Sequence, residues 1–187
     1  MASPIHVLGF AGSLRSQSHN VAVLRAAGEL MPANMLLEIY NLAPIPIYNQ
    51  DEDGERMPDS VRQFKQQIAD ADALLIATPE YNHSIPGVLK NALDWASRPT
   101  GTAPTNGKPA AILGASPGGF GAVRAQAHLR QILTSMNVFV LPRPEVAIPF
   151  VGQKLDEHGQ LTDEQTREFL RAHMVAFSQW VRRLRGE

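Results

Sequence analysis

Three short segments of the sequence carry ligand-binding residue types, and the first is GSLRSQSHN, at positions 12–20. If it links a strand to a helix, its backbone N–H groups and the positive end of the helix dipole meet at one point. Ser13, Ser18 and Asn20 add neutral donors, and Arg15 adds a cation. This pattern favours a phosphate anion. A polar loop in which Ser18 or Asn20 only caps the helix is the competing interpretation.

The spacing of glycines excludes the common nucleotide loops. The segment has no lysine, so it lacks the G-x-x-x-x-G-K-[ST] pattern of triphosphate-binding loops. Its glycines stand at positions 9 and 12 only, which argues against the G-x-G-x-x-G loop of dinucleotide-binding proteins. A phosphatase loop is excluded because the chain has no cysteine.

The second segment is TPEYNHSIPG, at positions 78–87, where two prolines restrict the backbone. A rigid loop of this kind can present N–H and C=O groups to a planar heterocycle at little entropic cost. Tyr81 offers an aromatic ring. Glu80 is either a general acid or an anchor of the loop, and His83 is either a proton donor or a polar surface residue.

The third segment is ASPGGFGAVR, at positions 115–124, whose glycines permit close approach of the backbone to a ligand. Phe120 either packs on a ring or belongs to the core. If the three segments share one edge of a sheet, one binds phosphate and two enclose a planar ring, which describes flavin mononucleotide (FMN).

Apolar runs alternate with helical patterns along the chain. We predict strands over 4–10, 35–40, 73–78, 110–116 and 138–141, the last resuming at 146–148, and helices over 21–31, 60–71, 85–97, 122–136 and from Thr162. Thr162 and Gln165 form a capping-box pattern. The alternation predicts one α/β domain over 1–187, a five-stranded parallel sheet with helices on both faces. Ligands of such sheets bind beyond the carboxyl ends of the strands, where the three segments fall.

Composition narrows the function further. The absence of cysteine excludes disulfides, thiolate metal sites and thiol redox chemistry, so a redox role needs a bound cofactor. The acidic run 51–53 indicates a solvated loop, and we predict no metal site. A formal net charge of −1 gives no reason to expect nucleic acid or a membrane surface as partner. No signal peptide or membrane span is evident, so we expect a cytoplasmic protein.

Together the three segments resemble the NAD(P)H-dependent FMN reductases of flavodoxin-like fold, a group with bacterial quinone reductases, chromate-reducing enzymes and azoreductases. The resemblance spans roughly 5 to 150 and rests on four stretches: GSLRSQSHN, TPEYNHSIPGVLKNALDW, GASPGGFGAVRAQAHLRQIL and the acidic-loop stretch PIPIYNQD. It implies a three-layer sandwich with strand order 2-1-3-4-5. One departure is Gln17, where the family often has glycine.

The resemblance also assigns site residues. The phosphate would be held by Ser13, Arg15, Ser18, His19 and Asn20. The isoalloxazine would lie along Pro79, Glu80, Tyr81 and Asn82, with Ser116, Gly118 and Gly119 covering its other side and the ribityl chain.

The activity implied is hydride transfer from NAD(P)H to FMN and on to a quinone or similar acceptor, with azo dyes, chromate and free flavin as further acceptors. One open site serving both substrates predicts ping-pong kinetics. Backbone N–H donors would stabilise the negative charge gained on reduction. Tyr81 and His83 are the candidates for proton delivery.

Two other functions stay open. One is a flavodoxin-like electron carrier without NAD(P)H turnover, against which the net charge of −1 argues because carriers use acidic surfaces to steer towards partners. The other is a flavin-free protein that binds a different phosphate ligand or a partner protein. The polar face of the predicted helix 122–136 is either solvated or, as the resemblance implies, part of a homodimer or homotetramer interface.

Overall fold

The computed structural model describes residues 3–187, in which strands and helices alternate as predicted. The first two residues, on which the expected absence of a signal peptide partly rests, lie outside this range. The elements are β1 (Ile5–Ala11), α1 (His19–Glu29), β2 (Met35–Tyr40), α2 (Asp59–Asp70), β3 (Ala73–Thr78), α3 (Gly87–Ala96), β4 (Pro109–Ala115), α4 (Val123–Ser135), β5 (Phe139–Val140), β6 (Val146–Ile148) and α5 (Glu164–Arg185).

The sheet is parallel, and its order is β2-β1-β3-β4-β5, which confirms the flavodoxin-like topology. The fifth position is shared by two short strands. Phe139 of β5 pairs with Pro109 at the start of β4, and Val146 of β6 pairs with Leu113 near its end. The predicted interruption of the last strand is therefore confirmed.

Apolar side chains from the helices cover both faces of the sheet. On one face α1 and α5 contribute Leu24 and Phe177 to the core, and on the other α2, α3 and α4 contribute Phe64, Leu89 and Leu129. Every residue of β3 is buried, as its continuous apolarity predicted. This double packing fixes the strand ends from which the ligand-binding segments extend.

The structure corrects three helix starts. Helix α3 begins at Gly87, two residues after the predicted start, because Pro86 is extended with ψ of 149°. Helix α1 begins two residues before the predicted start because the Ser18 hydroxyl accepts the Val21 N–H at 3.3 Å. The capping box at Thr162 is wrong, since Asp163 caps α5 by accepting the Thr166 N–H at 3.0 Å. The Asp163 carboxylate also forms an ion pair with Lys154 Nζ at 2.9 Å, and a neutral threonine hydroxyl cannot form an ion pair.

The segment 41–58 between β2 and α2, which includes the acidic run 51–53, contains two short 3-10 turns, Gln50–Glu52 and Gly54–Arg56. The Tyr48 hydroxyl donates a hydrogen bond to the Asp53 carboxylate at 2.9 Å, so the last residue of the acidic run is hydrogen-bonded within the chain. Residues 3–187 contain no helix with the length and apolarity that a membrane span requires.

Candidate functional site

Three loops extend from the carboxyl edge of the sheet, and they contain the segments singled out above. The first loop (12–18) follows β1, the second loop (79–86) follows β3, and the third loop (116–122) follows β4. Parallel pairing of these strands places all three loops at one edge.

Close approaches within or beside the loops join these three segments. A Cβ added at Gly12 would lie 3.4 Å from Pro79 Cδ, so the first and second loops touch there. Asn20, just after the first loop, is hydrogen-bonded to Ala115, just before the third. Glu80 of the second loop bonds the start of α4, which follows the third loop. The predicted site residues are thus brought into one cluster.

The first loop offers the donors that a phosphate requires. Within residues 3–187 no backbone N–H from Ser16 to Asn20 donates a hydrogen bond to another protein group. Arg15 is exposed and forms no ion pair with any described carboxylate. Unpaired amides at the start of α1, together with a free guanidinium, fit the phosphate of FMN.

Asn20 has a structural task that its sequence position did not reveal. Its side chain is 3% exposed, Nδ2 donates to the Ala115 carbonyl, and Oδ1 accepts the Ala115 N–H, both at 3.0 Å. The side chain predicted to bind phosphate therefore already joins α1 to β4. Its backbone N–H remains available to an anion.

The tip of the second loop is a tight two-residue turn. Tyr81 and Ser84 exchange two backbone hydrogen bonds of 3.0 Å, while Asn82 and His83 between them have φ of 51° and 63°. Two positive φ angles are typical of a type I′ turn, and the left-handed region is costly for a histidine. Tyr81, Asn82 and His83 are exposed there, at the edge of the site.

Glu80 is an anchor of the loop, and its contacts contradict a role as general acid. Its carboxylate accepts the backbone N–H groups of Arg124 at 3.0 Å and Ala125 at 3.3 Å, and the Arg124 guanidinium at 3.1 Å. Burial alone would raise the pKa of Glu80, but the hydrogen bonds from Arg124 and the two amides outweigh it and hold the pKa below its usual value. Glu80 is therefore a carboxylate at neutral pH.

The third loop presents open backbone. A Cβ added at Gly118 would meet no atom within 4 Å, whereas one at Gly119 would lie 3.3 Å from the Phe150 ring. Ser116 donates its hydroxyl to the Gly118 carbonyl at 3.0 Å. Phe120 is 63% exposed, so the alternative that places it in the core is wrong. The amides of Gly118 and Gly119 donate to no other group in the described chain, as a ligand-facing loop requires.

One residue at this edge escaped sequence reasoning. Phe150 follows β6, is 50% exposed, has φ of 50°, and donates its N–H to the Gly118 carbonyl at 3.1 Å. The signal that could have found it is the resumed strand at 146–148, because a parallel strand there must end at the ligand-binding edge. We therefore add Phe150 to the residues that border the site.

Comparison with known proteins agrees with this geometry. Residues 5–153 match the model of the family described as NADPH-dependent FMN reductase. The chain is 51% identical to an NAD(P)H-dependent FMN reductase of Pseudomonas aeruginosa over 186 residues, covering 100% of both chains. It is 44% identical to a 2-hydroxy-1,4-benzoquinone reductase of a Burkholderia species, covering 91% of this chain and 93% of that protein.

A solved structure extends the comparison to the fold. The flavoenzyme NAD(P)H:(acceptor) oxidoreductase FerB of Paracoccus denitrificans superposes with a TM-score of 0.88 at 37% identity, covering 96% of this chain and 98% of that one. The expected family, fold and class of enzyme are confirmed. The chain belongs to the NADPH-dependent FMN reductase family of oxidoreductases.

Proposed function

We propose that this chain oxidises NAD(P)H through bound FMN and passes the electrons to quinones in a ping-pong cycle. Two observations support the acceptor class: a relative 44% identical is a 2-hydroxy-1,4-benzoquinone reductase, and another 40% identical is a quinone reductase of Pseudomonas putida. FMN, when bound, supplies a ring that takes up hydride and releases electrons one or two at a time.

The observation that carries the proposal is the set of unpaired backbone donors on three neighbouring loops. In our assignment the amides from Ser16 to Asn20 hold the phosphate, and Arg15 balances its charge. The Ser18 hydroxyl accepts from Val21 and keeps its own hydrogen for the phosphate. Ser13 and His19 border the same position.

The second and third loops would enclose the ring. On one side lie Pro79, Glu80, Tyr81 and Asn82, whose amides at positions 80 and 82 donate to no other described group. On the other side lie Ser116, Gly118 and Gly119. Unpaired amides beside a planar ring stabilise the negative charge it gains, without a lysine.

Steady-state kinetics test the proposal directly. Purified protein loaded with FMN should oxidise NADH or NADPH when 1,4-benzoquinone is present, and double-reciprocal plots at several quinone concentrations should be parallel. Protein stripped of FMN is the control and should be inactive. Bound FMN without turnover would instead support the electron-carrier alternative, and intersecting lines would contradict the ping-pong cycle.

Tyr81 and His83 are our candidates for proton delivery to the acceptor. Neither side chain hydrogen-bonds another group among residues 3–187, so both are free to contact a substrate. We expect Tyr81→Phe or His83→Gln, whichever removes the proton donor, to lower kcat for quinone by about 100-fold or more while leaving FMN affinity unchanged. His6→Gln is the matched control, because this exposed histidine lies near the start of β1, at the opposite edge of the sheet from the site. Unchanged turnover in both variants would remove the assignment.

A homodimer or homotetramer and a cytoplasmic location stay predictions. Size-exclusion chromatography with light scattering measures the first. A monomer that retains full turnover would contradict an assembly required for the site.

A further inference from the structure

Helix α4 has no cap of its own. The residue before it, Ala122, has φ of 64° and no side chain that could accept a hydrogen bond, and the first turn contains no acidic residue. The two first-turn amides at Arg124 and Ala125 are instead satisfied by the Glu80 carboxylate, 44 and 45 positions earlier in the chain. Glu80 thus does for α4 what Asp163 does for its own helix.

The same carboxylate meets a concentration of positive charge. The start of a helix carries the positive end of its dipole, and the Arg124 guanidinium lies 3.1 Å from Glu80. That guanidinium also lies 4.4 Å from the centre of the Phe120 ring in the third loop. The Glu80 side chain is only 10% exposed, whereas the Arg124 side chain is 40% exposed, so water reaches this charge pair from the arginine side.

A second contact joins the second loop to α4, one helical turn after Arg124. His128 Nδ1 lies 3.0 Å from the Ser84 hydroxyl at the base of the Tyr81–Ser84 turn. The second loop is therefore attached to α4 at two points, which fixes its distance from the third loop.

We propose that Glu80 is a positioning residue, which caps α4 from the second loop, sets the separation between the second and third loops, and neutralises the positive charge at the start of α4. This rests on the proposed FMN site between those loops. Glu80 acts through its neighbours, and its carboxylate does not itself contact the flavin ring.

Position and charge have separate consequences. Removing the cap loosens the spacing of the two loops, so a ligand held between them binds less tightly. Removing only the negative charge leaves Arg124 and the helix dipole uncompensated. A flavin gains negative charge on reduction, so the uncompensated positive charge favours the reduced form and makes the midpoint potential more positive.

Two substitutions separate these effects. Glu80→Ala removes both cap and charge, whereas Glu80→Gln keeps one oxygen acceptor and removes the charge. Asp163→Ala and Asp163→Asn are matched controls, because Asp163 also caps a helix and pairs with a cation, Lys154. The measurements are fluorescence titration of apoprotein with FMN, the midpoint potential of bound FMN, and circular dichroism of the apoprotein.

We expect Glu80→Ala to raise the Kd for FMN about tenfold, the effect of losing one cap, and Asp163→Ala to leave it within about twofold. Glu80→Gln should shift the midpoint potential to a more positive value, and Asp163→Asn should not shift it. If Glu80→Ala fails to fold, the midpoint potential of FMN bound to Glu80→Gln still tests the inference.

Two results would overturn the inference: an FMN Kd for folded Glu80→Ala equal to that of the unsubstituted protein, or an unchanged potential in Glu80→Gln. Failure of the proposed function gives a different result, because the unsubstituted protein would then not bind FMN or would not oxidise NAD(P)H.

Discussion

The side chain of Asn20 and the backbone of Ala115 exchange two hydrogen bonds of 3.0 Å, one in each direction. This pair joins the start of α1 to the end of β4, 95 positions apart in the sequence. The amide therefore mimics a neighbouring strand at the point where the first and third loops leave the sheet. It fixes the two loops that we assign to opposite ends of the FMN.

Asn20→Ala should lower the free energy of unfolding by about 3 kcal/mol, because it leaves a buried N–H and a buried C=O of Ala115 without partners. Urea denaturation of the apoprotein measures this. Asn34→Ala is the control, since Asn34 makes one long contact of 3.5 Å to Ser178, and its loss should cost less than about 1 kcal/mol. Equal losses in the two variants would contradict a special role for the Asn20 pair.

Gly118 and Gly121, three positions apart, should differ in how substitution by alanine changes the free energy of unfolding. Gly121 has φ of +56°, and an added Cβ would lie 2.7 Å from the backbone of Ala147 and Ile148. We expect Gly121→Ala to destabilise the apoprotein by about 3 kcal/mol, the sum of a left-handed backbone and an overpacked contact.

At Gly118 an added Cβ meets no protein atom, so Gly118→Ala should change the unfolding free energy by less than about 0.5 kcal/mol. If that open space belongs to the flavin, the same substitution should weaken FMN binding. Thermal denaturation of the apoprotein and FMN titration test the pair together. Unaltered FMN affinity in Gly118→Ala would place the flavin elsewhere.

The sequence predicted those features that depend on residues close together in the chain, and it did not predict contacts between distant positions. The β3 run at 73–78 and the strand–helix alternation are local patterns, and they were sufficient for the parallel sheet, whereas its strand order was predicted from the family resemblance. At the start of α5 two adjacent residues, Thr162 and Asp163, can cap the helix, and the ion pair of Asp163 with Lys154 is a contact that the pattern around position 162 does not indicate.

The partner of Glu80 could not be predicted for the same reason. Nothing near position 80 indicates that its carboxylate bonds amides in α4, because the pair forms only when β3 and β4 lie side by side. The three ligand-binding segments were found because each carries its own composition. Their mutual contacts, through Asn20 and Glu80, required the structure.

Arg15→Ala should weaken FMN binding by about 10- to 100-fold, the range for one charge-assisted hydrogen bond, and should leave riboflavin binding unchanged because riboflavin lacks the phosphate. Titrations with the two ligands make the comparison within one protein. Arg183→Ala is the matched control, an exposed arginine in the last turn of α5. A parallel loss of riboflavin affinity would mean that Arg15 supports the loop and does not contact the phosphate.

The stability of the apoprotein should depend on the protonation of His173. This side chain is fully buried in α5, with Nδ1 2.8 Å from the Pro144 carbonyl and no partner for Nε2 among the described residues. Burial lowers its pKa to about 4, and the charge of Arg130 acts in the same direction, while the hydrogen bond to the Pro144 carbonyl opposes it.

Because the folded pKa lies below the unfolded value of about 6.5, the unfolded chain takes up the proton first as pH falls. Neutral His173 therefore contributes its full stabilisation above the unfolded pKa of about 6.5. This stabilisation is lost as the pH falls from there to the folded pKa of about 4. Between pH 7.5 and 5.5 the loss should be about 1 kcal/mol. The carboxyl groups with lowered pKa, such as Glu80, titrate below this window. Urea denaturation at the two pH values should show the loss in the unsubstituted protein, and His173→Gln should remove most of it; an equal loss in both would assign the pH dependence to other groups.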